Sequence, residues 1–121
     1  MNEEITEKII GAAIEVHKNW GPGLLESIYE EALCYEFTLQ GISCERQVEI
    51  DVIYKGRVIK GQRLDLLIER KVVVELKSLQ TLPEVVLAQV LSYLKATGLK
   101  TALVINFGER KLADGVKRIS L

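Results

Sequence analysis

The chain has 121 residues, a length that suits one domain over 1–121, and 48% of them are apolar, enough for a packed core. No run approaches the roughly 20 apolar residues of a membrane-spanning helix, and the acidic start Met1-Asn2-Glu3-Glu4 lacks the apolar stretch of a secretory leader, so a cytoplasmic location is expected. The formal net charge of -1 argues against a broad basic footprint for nucleic acid, while leaving room for a local basic strip or for carboxylates offset by divalent ions.

Residues 3 to 19 carry Ile5, Ile9, Ile10, Ala13, Ile14 and Val16 at helical spacing, with charges on the other face. Trp20-Gly21-Pro22-Gly23 ends that helix in a tight turn. A second helix is expected from about Leu24 to Gln40, with Leu25, Ile28, Tyr29, Ala32, Leu33 and Phe37 as its stripe and Gly41 as its stop. The period then changes to two. Cys44 to Tyr54 alternates, with Val48, Ile50, Val52 and Tyr54 on one face. Lys55-Gly56 is a turn, and Arg57 to Glu69 is one long strand or two short ones, with Gly61 a bulge or bend. Arg70 lies near a hairpin tip before the β-branched run Lys71 to Lys77. Pro83 suits the first turn of a helix from Glu84 to Thr97, capped by Gly98. Thr101 to Phe107 reads as a buried strand and Val116 to Leu121 as a short edge strand. The order is α-α-β-β-β-α-β with a possible final strand, an α/β fold with a mixed sheet of about four to five strands flanked by helices. Cys34 and Cys44 lack metal-ligand spacing and read as reduced thiols.

The chemistry-bearing residues cluster around one hairpin. Glu75 and Lys77 share a strand face, while Val74 and Leu76 point the other way. A three-residue loop at Glu69, Arg70 and Lys71 pairs Ile68 with Val72 and sets Asp65 opposite Glu75; a two-residue loop puts Asp65 on the other face. Two carboxylates so close repel, unless a cation sits between them or one keeps its proton. Such a pair suits Mg²⁺ or Mn²⁺, with Lys77 positioning an attacking water or stabilising developing negative charge in phosphodiester hydrolysis. The plainer reading of the same residues is a cross-strand ladder of ion pairs with Arg63 and Lys77.

Gln89 and Tyr93 lie four positions apart on the following helix and share a face that reaches the same site; the alternative is a core tyrosine and a solvent-facing glutamine. Glu26 is either a third carboxylate of the site or a first-turn glutamate favoured by the helix dipole. His17, the only histidine, either binds phosphate or acts in catalysis, or is a helix-end residue capping carbonyls or packing on Trp20. The latter is favoured, so it stays outside the catalytic set. Lys55, Arg57, Lys60 and Arg63 form a modest basic strip expected near the site.

Gly23-Leu24-Leu25-Glu26-Ser27-Ile28-Tyr29 reads G-x-x-E-x-x-Y. With Val16-His17, Glu45-Arg46-Gln47-Val48, Tyr54-Lys55-Gly56, Asp65-Leu66-Leu67, Glu75-Leu76-Lys77, the segment from Gln89 through Tyr93 to Gly98, and Asn106-Phe107-Gly108, the chain resembles the small bacterial GxxExxY proteins, a branch of the PD-(D/E)XK nuclease superfamily. The resemblance covers nearly the whole chain. It implies a restriction-endonuclease-like core. It also implies a site in which Asp65, Glu75 and Glu26 hold Mg²⁺ or Mn²⁺, Lys77 is catalytic, and Gln89 and Tyr93 form the Q-x-x-x-Y element of the exonuclease branch. The function expected is metal-dependent hydrolysis of DNA, with a homodimer or protein partner helping to grip the duplex. The alternative is a non-cleaving module on a nuclease fold that binds nucleic acid or protein.

Overall fold

A computed structural model describes residues 2–121. Helix α1 (Glu3–Trp20) and helix α2 (Glu26–Leu39) precede strands β1 (Cys44–Tyr54), β2 (Arg57–Ile68) and β3 (Val72–Lys77). Helix α3 (Glu84–Thr97), strand β4 (Thr101–Asn106) and strand β5 (Val116–Ser120) follow, with a single 3₁₀ turn, Leu112–Gly115, before β5. The sheet runs β1-β2-β3-β4-β5. Pairing is antiparallel except between β3 and β4, where α3 supplies the crossover that parallel neighbours need. The mixed sheet and the element order agree with the sequence. The second helix starts two residues later than expected, at Glu26, with Leu25 as its cap position. No helix among the described residues is long and apolar enough to cross a membrane.

Helices cover both faces. Ile9, Ala12, Ala13 and Val16 of α1, with Tyr29, Leu33 and Phe37 of α2, pack on Leu66, Ile68, Val74 and Leu76. Val86, Val90, Tyr93 and Leu94 of α3 pack on Val73, Ala102 and Val104 from the other side. β3 and β4 therefore lie between two layers, which is why Val72–Leu76 and Thr101–Asn106 are buried without alternation. β1 and β2 outrun this cover. Beyond Ile50 they form an arm on which Ile53, Tyr54 and Val58 are exposed. Gly61 sits in this arm at φ +110°. There the register slips from Ile50↔Gln62 to Val52↔Ile59, an extra residue on β2 and the expected bulge.

The turn after α1 is built by one phenol. Gly23 takes φ +112°, a conformation open to glycine. The Tyr29 hydroxyl donates to the Gly21 carbonyl at 2.5 Å and accepts from the Leu24 N–H at 3.2 Å. The ring stacks on Phe107 at 4.2 Å between centroids. Residues 21–24 are thus held to the start of α2, and Glu26 is carried with them. His17 is buried, and its Nε2–H donates to the Glu109 carbonyl at 2.8 Å. It lies 6.3 Å from the Phe107 ring, while Trp20 is exposed. The histidine joins α1 to the segment after β4, rather than capping its own helix or packing on Trp20.

Candidate metal centre

The β2–β3 hairpin turns through Glu69, Arg70 and Lys71, with Glu69 and Arg70 at φ +53° and +55° and the Lys71 N–H donating to the Ile68 carbonyl at 3.0 Å. Ile68 pairs with Val72, then Leu67 with Val73 and Leu66 with Val74. There the backbone ladder stops. At the next step two carboxylates replace it. The Asp65 N–H donates to Glu75 Oε1 at 2.8 Å, and the Leu76 N–H donates to Asp65 Oδ2 at 2.9 Å. The strands fork, and each acid fills the fork by accepting from the other strand's backbone. Neither carboxylate makes an ion pair among the described residues, so the expected alternative of a salt-bridge ladder with Arg63 and Lys77 is not what the hairpin forms.

The electrostatics follow from that position. Glu75 is 4% exposed. Burial, and then the Asp65 charge beside it, push its carboxyl up to about 8; the Lys77 ammonium opposes the rise. Tyr93 reaches the fork from α3: burial and then the charges of Glu75 and Asp65 raise its phenol to about 12. Gln89, one turn earlier on α3, is exposed, and its side chain makes no hydrogen bond among the described residues.

On the α2 side a cavity of about 270 Å³ is lined by Glu26, Glu30, Gln47, Asp65 and Leu76. Glu26 also borders a larger cavity of about 490 Å³ with Gly23, Ser78, Gln80 and Gly108. Ser78 Oγ donates to the Leu24 carbonyl at 2.7 Å and joins the two loops that border this second cavity. Fully buried Asn106 stiffens the same region: its Oδ1 accepts from Leu79 and Gly108 N–H groups, and its Nδ2 donates to the Leu79 carbonyl.

Glu30 and its partners were not singled out from the sequence. Glu30 is 8% exposed. Arg46 meets its Oε2 at 2.8 Å, and Gln47 Nε2 donates to its Oε1 at 2.8 Å. Gln47 holds φ +51° within a strand, which is costly for a side chain with a Cβ and aims the amide at Glu30. The one available signal was the spacing of Glu26 and Glu30, a single helical turn apart on the face that looks toward Asp65.

The donor set fits a hard divalent cation. Asp65 and Glu75 each commit one oxygen to a backbone N–H, which leaves Asp65 Oδ1 and Glu75 Oε2 as oxygen donors. A cation between them would offset the burial cost that raises Glu75. No group of three or more Asp, Glu, His or Cys side chains closes into a cage among the described residues. Glu26 therefore faces the Asp65 cavity without completing a three-carboxylate shell. Mg²⁺ keeps several waters and is commonly held by one or two carboxylates, so two suffice.

The basic residues are spread along the arm rather than gathered at the fork. Arg63 is two residues from Asp65, but Lys55 and Arg57 are at the tip, roughly 25 Å away along the strand. Lys60 is paired with Asp51 at 2.6 Å, and the Lys55 ammonium lies 5.5 Å from the Tyr54 ring.

A family model for the PD-(D/E)XK nuclease superfamily matches residues 3–119. The chain belongs to the PD-(D/E)XK nuclease superfamily. A solved structure described as "Crystal structure of SSO0001" superposes with a TM-score of 0.53 at 21% identity, covering 99% of this chain and 79% of that one. At that identity the likeness is one of fold. No curated protein matches the chain. Asp65, Glu75 and Lys77 of the forked hairpin stand in the sequence at a D…E-x-K spacing.

Proposed function

We propose that the protein is a Mg²⁺- or Mn²⁺-dependent nuclease of the GxxExxY type that hydrolyses DNA phosphodiester bonds. The observation that carries this is the fork itself. Two carboxylates are cross-tied to opposite backbones, each with an oxygen to spare, and Lys77 follows two residues after the buried one. Asp65 and Glu75 would hold the metal, which when bound would supply charge neutralisation at the scissile phosphate and a more acidic water for attack. Lys77 would orient an attacking water and meet the charge that develops on the phosphate oxygens. Tyr93 shields the α3 side of the fork from bulk solvent. Glu26, on the wall shared by the two cavities, would be the third acidic residue turned toward that metal. Gln89, exposed at the rim, touches substrate when substrate is bound.

Two features of the chain favour DNA over a small phosphoester. The cavities by Glu26 form an open trough rather than an enclosed pocket, and Arg63, Arg57 and Lys55 extend away from the fork on an arm that can follow a phosphate backbone. The test is cleavage of single- and double-stranded DNA with Mg²⁺, Mn²⁺ or EDTA. Cleavage needs the metal and falls at least about 100-fold in Glu75→Ala and in Lys77→Ala, with helical content retained by circular dichroism. Equal cleavage by wild type and both variants would overturn the assignment. Metal-independent DNA binding without cutting would identify the non-cleaving module instead.

A further inference from the structure

Cys34 lies on α2 one turn after Glu30, and Cys44 opens β1 two residues before Arg46. Ten residues separate them in the chain, yet their sulfurs stand 3.2 Å apart. Both are free thiols and both are half-buried. Both also line a surface depression of about 360 Å³ with Glu31, Thr38 and Arg46, so a small reagent in solvent reaches them.

We propose that Cys34 and Cys44 are a covalent modification site, a dithiol that closes to an intramolecular disulfide on exchange with a low-molecular-weight disulfide of the glutathione kind. The Cys34 thiolate attacks one sulfur of the reagent, breaking the reagent's S–S bond and releasing one small thiol. Cys44 then gives its proton to solvent and attacks the Cys34 sulfur, expelling the second small thiol. The two cysteines lose two electrons in all, and the small disulfide gains them as two thiols. The Arg46 guanidinium beside the pair favours a thiolate on either sulfur. The same chemistry runs with the two cysteines exchanged, because whichever sulfur attacks first has its resolving partner 3.2 Å away.

The bond would staple α2 to β1. α2 carries Glu26 and Glu30, and β1 carries Arg46 and Gln47, which hold Glu30. Oxidation therefore fixes the wall of the cavity that Asp65 faces, without touching Asp65, Glu75 or Lys77. The proposal is independent of the nuclease assignment, since thiol chemistry can be followed on a protein that cuts nothing.

The experiment incubates the reduced full-length chain with excess oxidised glutathione, removes the reagent, and follows intact mass, iodoacetamide labelling, a non-reducing peptide map and the melting temperature. The expected product is monomeric, lighter by two hydrogens and unlabelled. It maps as a 34–44 cross-link and melts roughly 5–10 °C higher, with all changes reversed by dithiothreitol. Cys34→Ser and Cys44→Ser each abolish the shift. A persisting glutathione adduct on the wild type, a cross-link between two chains, or two thiols that still label would overturn the proposal. If a serine variant fails to fold, the wild-type mass and labelling decide the matter alone.

Discussion

Glu75 is a carboxyl whose surroundings favour the acid over the anion. In the unfolded chain it titrates near 4.5; in the fork it holds its proton up to about 8. Between those values the folded state binds one more proton than the unfolded state. Stability is therefore greatest below 4.5 on this account and falls as pH rises toward 8, by at most about 1.4 kcal/mol per pH unit. Denaturation midpoints measured from about pH 5 to pH 9 without metal test this. Glu75→Gln keeps an oxygen for the Asp65 N–H and removes the charge, so its profile should be flatter and its stability at the alkaline end higher than that of the wild type. A steeper profile in Glu75→Gln would show that the slope comes from elsewhere. The same proton couples to metal. A divalent ion that binds the anion must displace it, so Mg²⁺ affinity should rise by up to about tenfold per pH unit between roughly 5 and 8 and then level off. Titration calorimetry at about pH 6.5 in two buffers of different ionisation enthalpy should show close to one proton released per ion bound. No release there would mean that Glu75 is already ionised or is no ligand.

At the scale of elements, the loops around the trough are held by a few buried polar contacts. Tyr29→Phe keeps the stack on Phe107 but leaves the Leu24 N–H and the Gly21 carbonyl without their partner. The expected cost is about 1–3 kcal/mol, with faster hydrogen exchange at Leu24. Gly108 and Gly11 make a contrasting pair. A Cβ on Gly108 would lie 2.0 Å from the Leu79 carbonyl oxygen, with only backbone to yield, whereas a Cβ on Gly11 in exposed helix meets nothing within 4 Å. Gly108→Ala should destabilise by roughly 3 kcal/mol and, by moving the loop after Lys77, weaken cleavage. Gly11→Ala should stabilise by up to about 1 kcal/mol. Similar melting temperatures for the two variants would contradict this. These elements also mark what the sequence could disclose. β1 and α3 end where their periods and their flanking glycines say they should, because Gly56 and Gly98 leave chemical traces of the turns they make. The Asp65–Glu75 register was legible only as one of two loop lengths, and the three-residue turn at Glu69, Arg70 and Lys71, with Ile68 paired to Val72, decides between them. Gln47 left no such trace: a glutamine at positive φ looks in sequence like any strand residue. Its contact with Glu30 exists only once α2 packs over β1, and the meeting of Cys34 with Cys44 depends on the same packing.

On the scale of the whole molecule, the net charge of -1 and the proposed hold on a polyanion pull in opposite directions, and the arm reconciles them. The strand alternation from Val48 to Tyr54 reads as a half-buried surface, but α3 meets its far half only across a cavity, through Ser92, Lys95 and Ala96, so Ile53 and Tyr54 are exposed. Of the cations on the arm, Lys60 is already neutralised by Asp51, while Arg57 and Arg63 make no ion pair among the described residues and Lys55 rests over Tyr54. The pairing ranks their effects on binding. Removing one cation that neutralises a duplex phosphate should lower the slope of log K against log salt by about 0.9. With Glu75→Gln as a background that does not cut, Lys55→Ala/Arg57→Ala should flatten the slope by up to about 1.8. Lys60→Ala should change it far less, because its removal also frees the Asp51 carboxylate and exchanges a neutral pair for one negative charge at a site that offered phosphate little. Fluorescence anisotropy with a labelled duplex between about 50 and 200 mM salt resolves a difference of that size. If Lys60→Ala matches the double variant, phosphate competes successfully with Asp51 and the cationic track runs the full length of β2; if neither alters the slope, nucleic acid does not follow the arm.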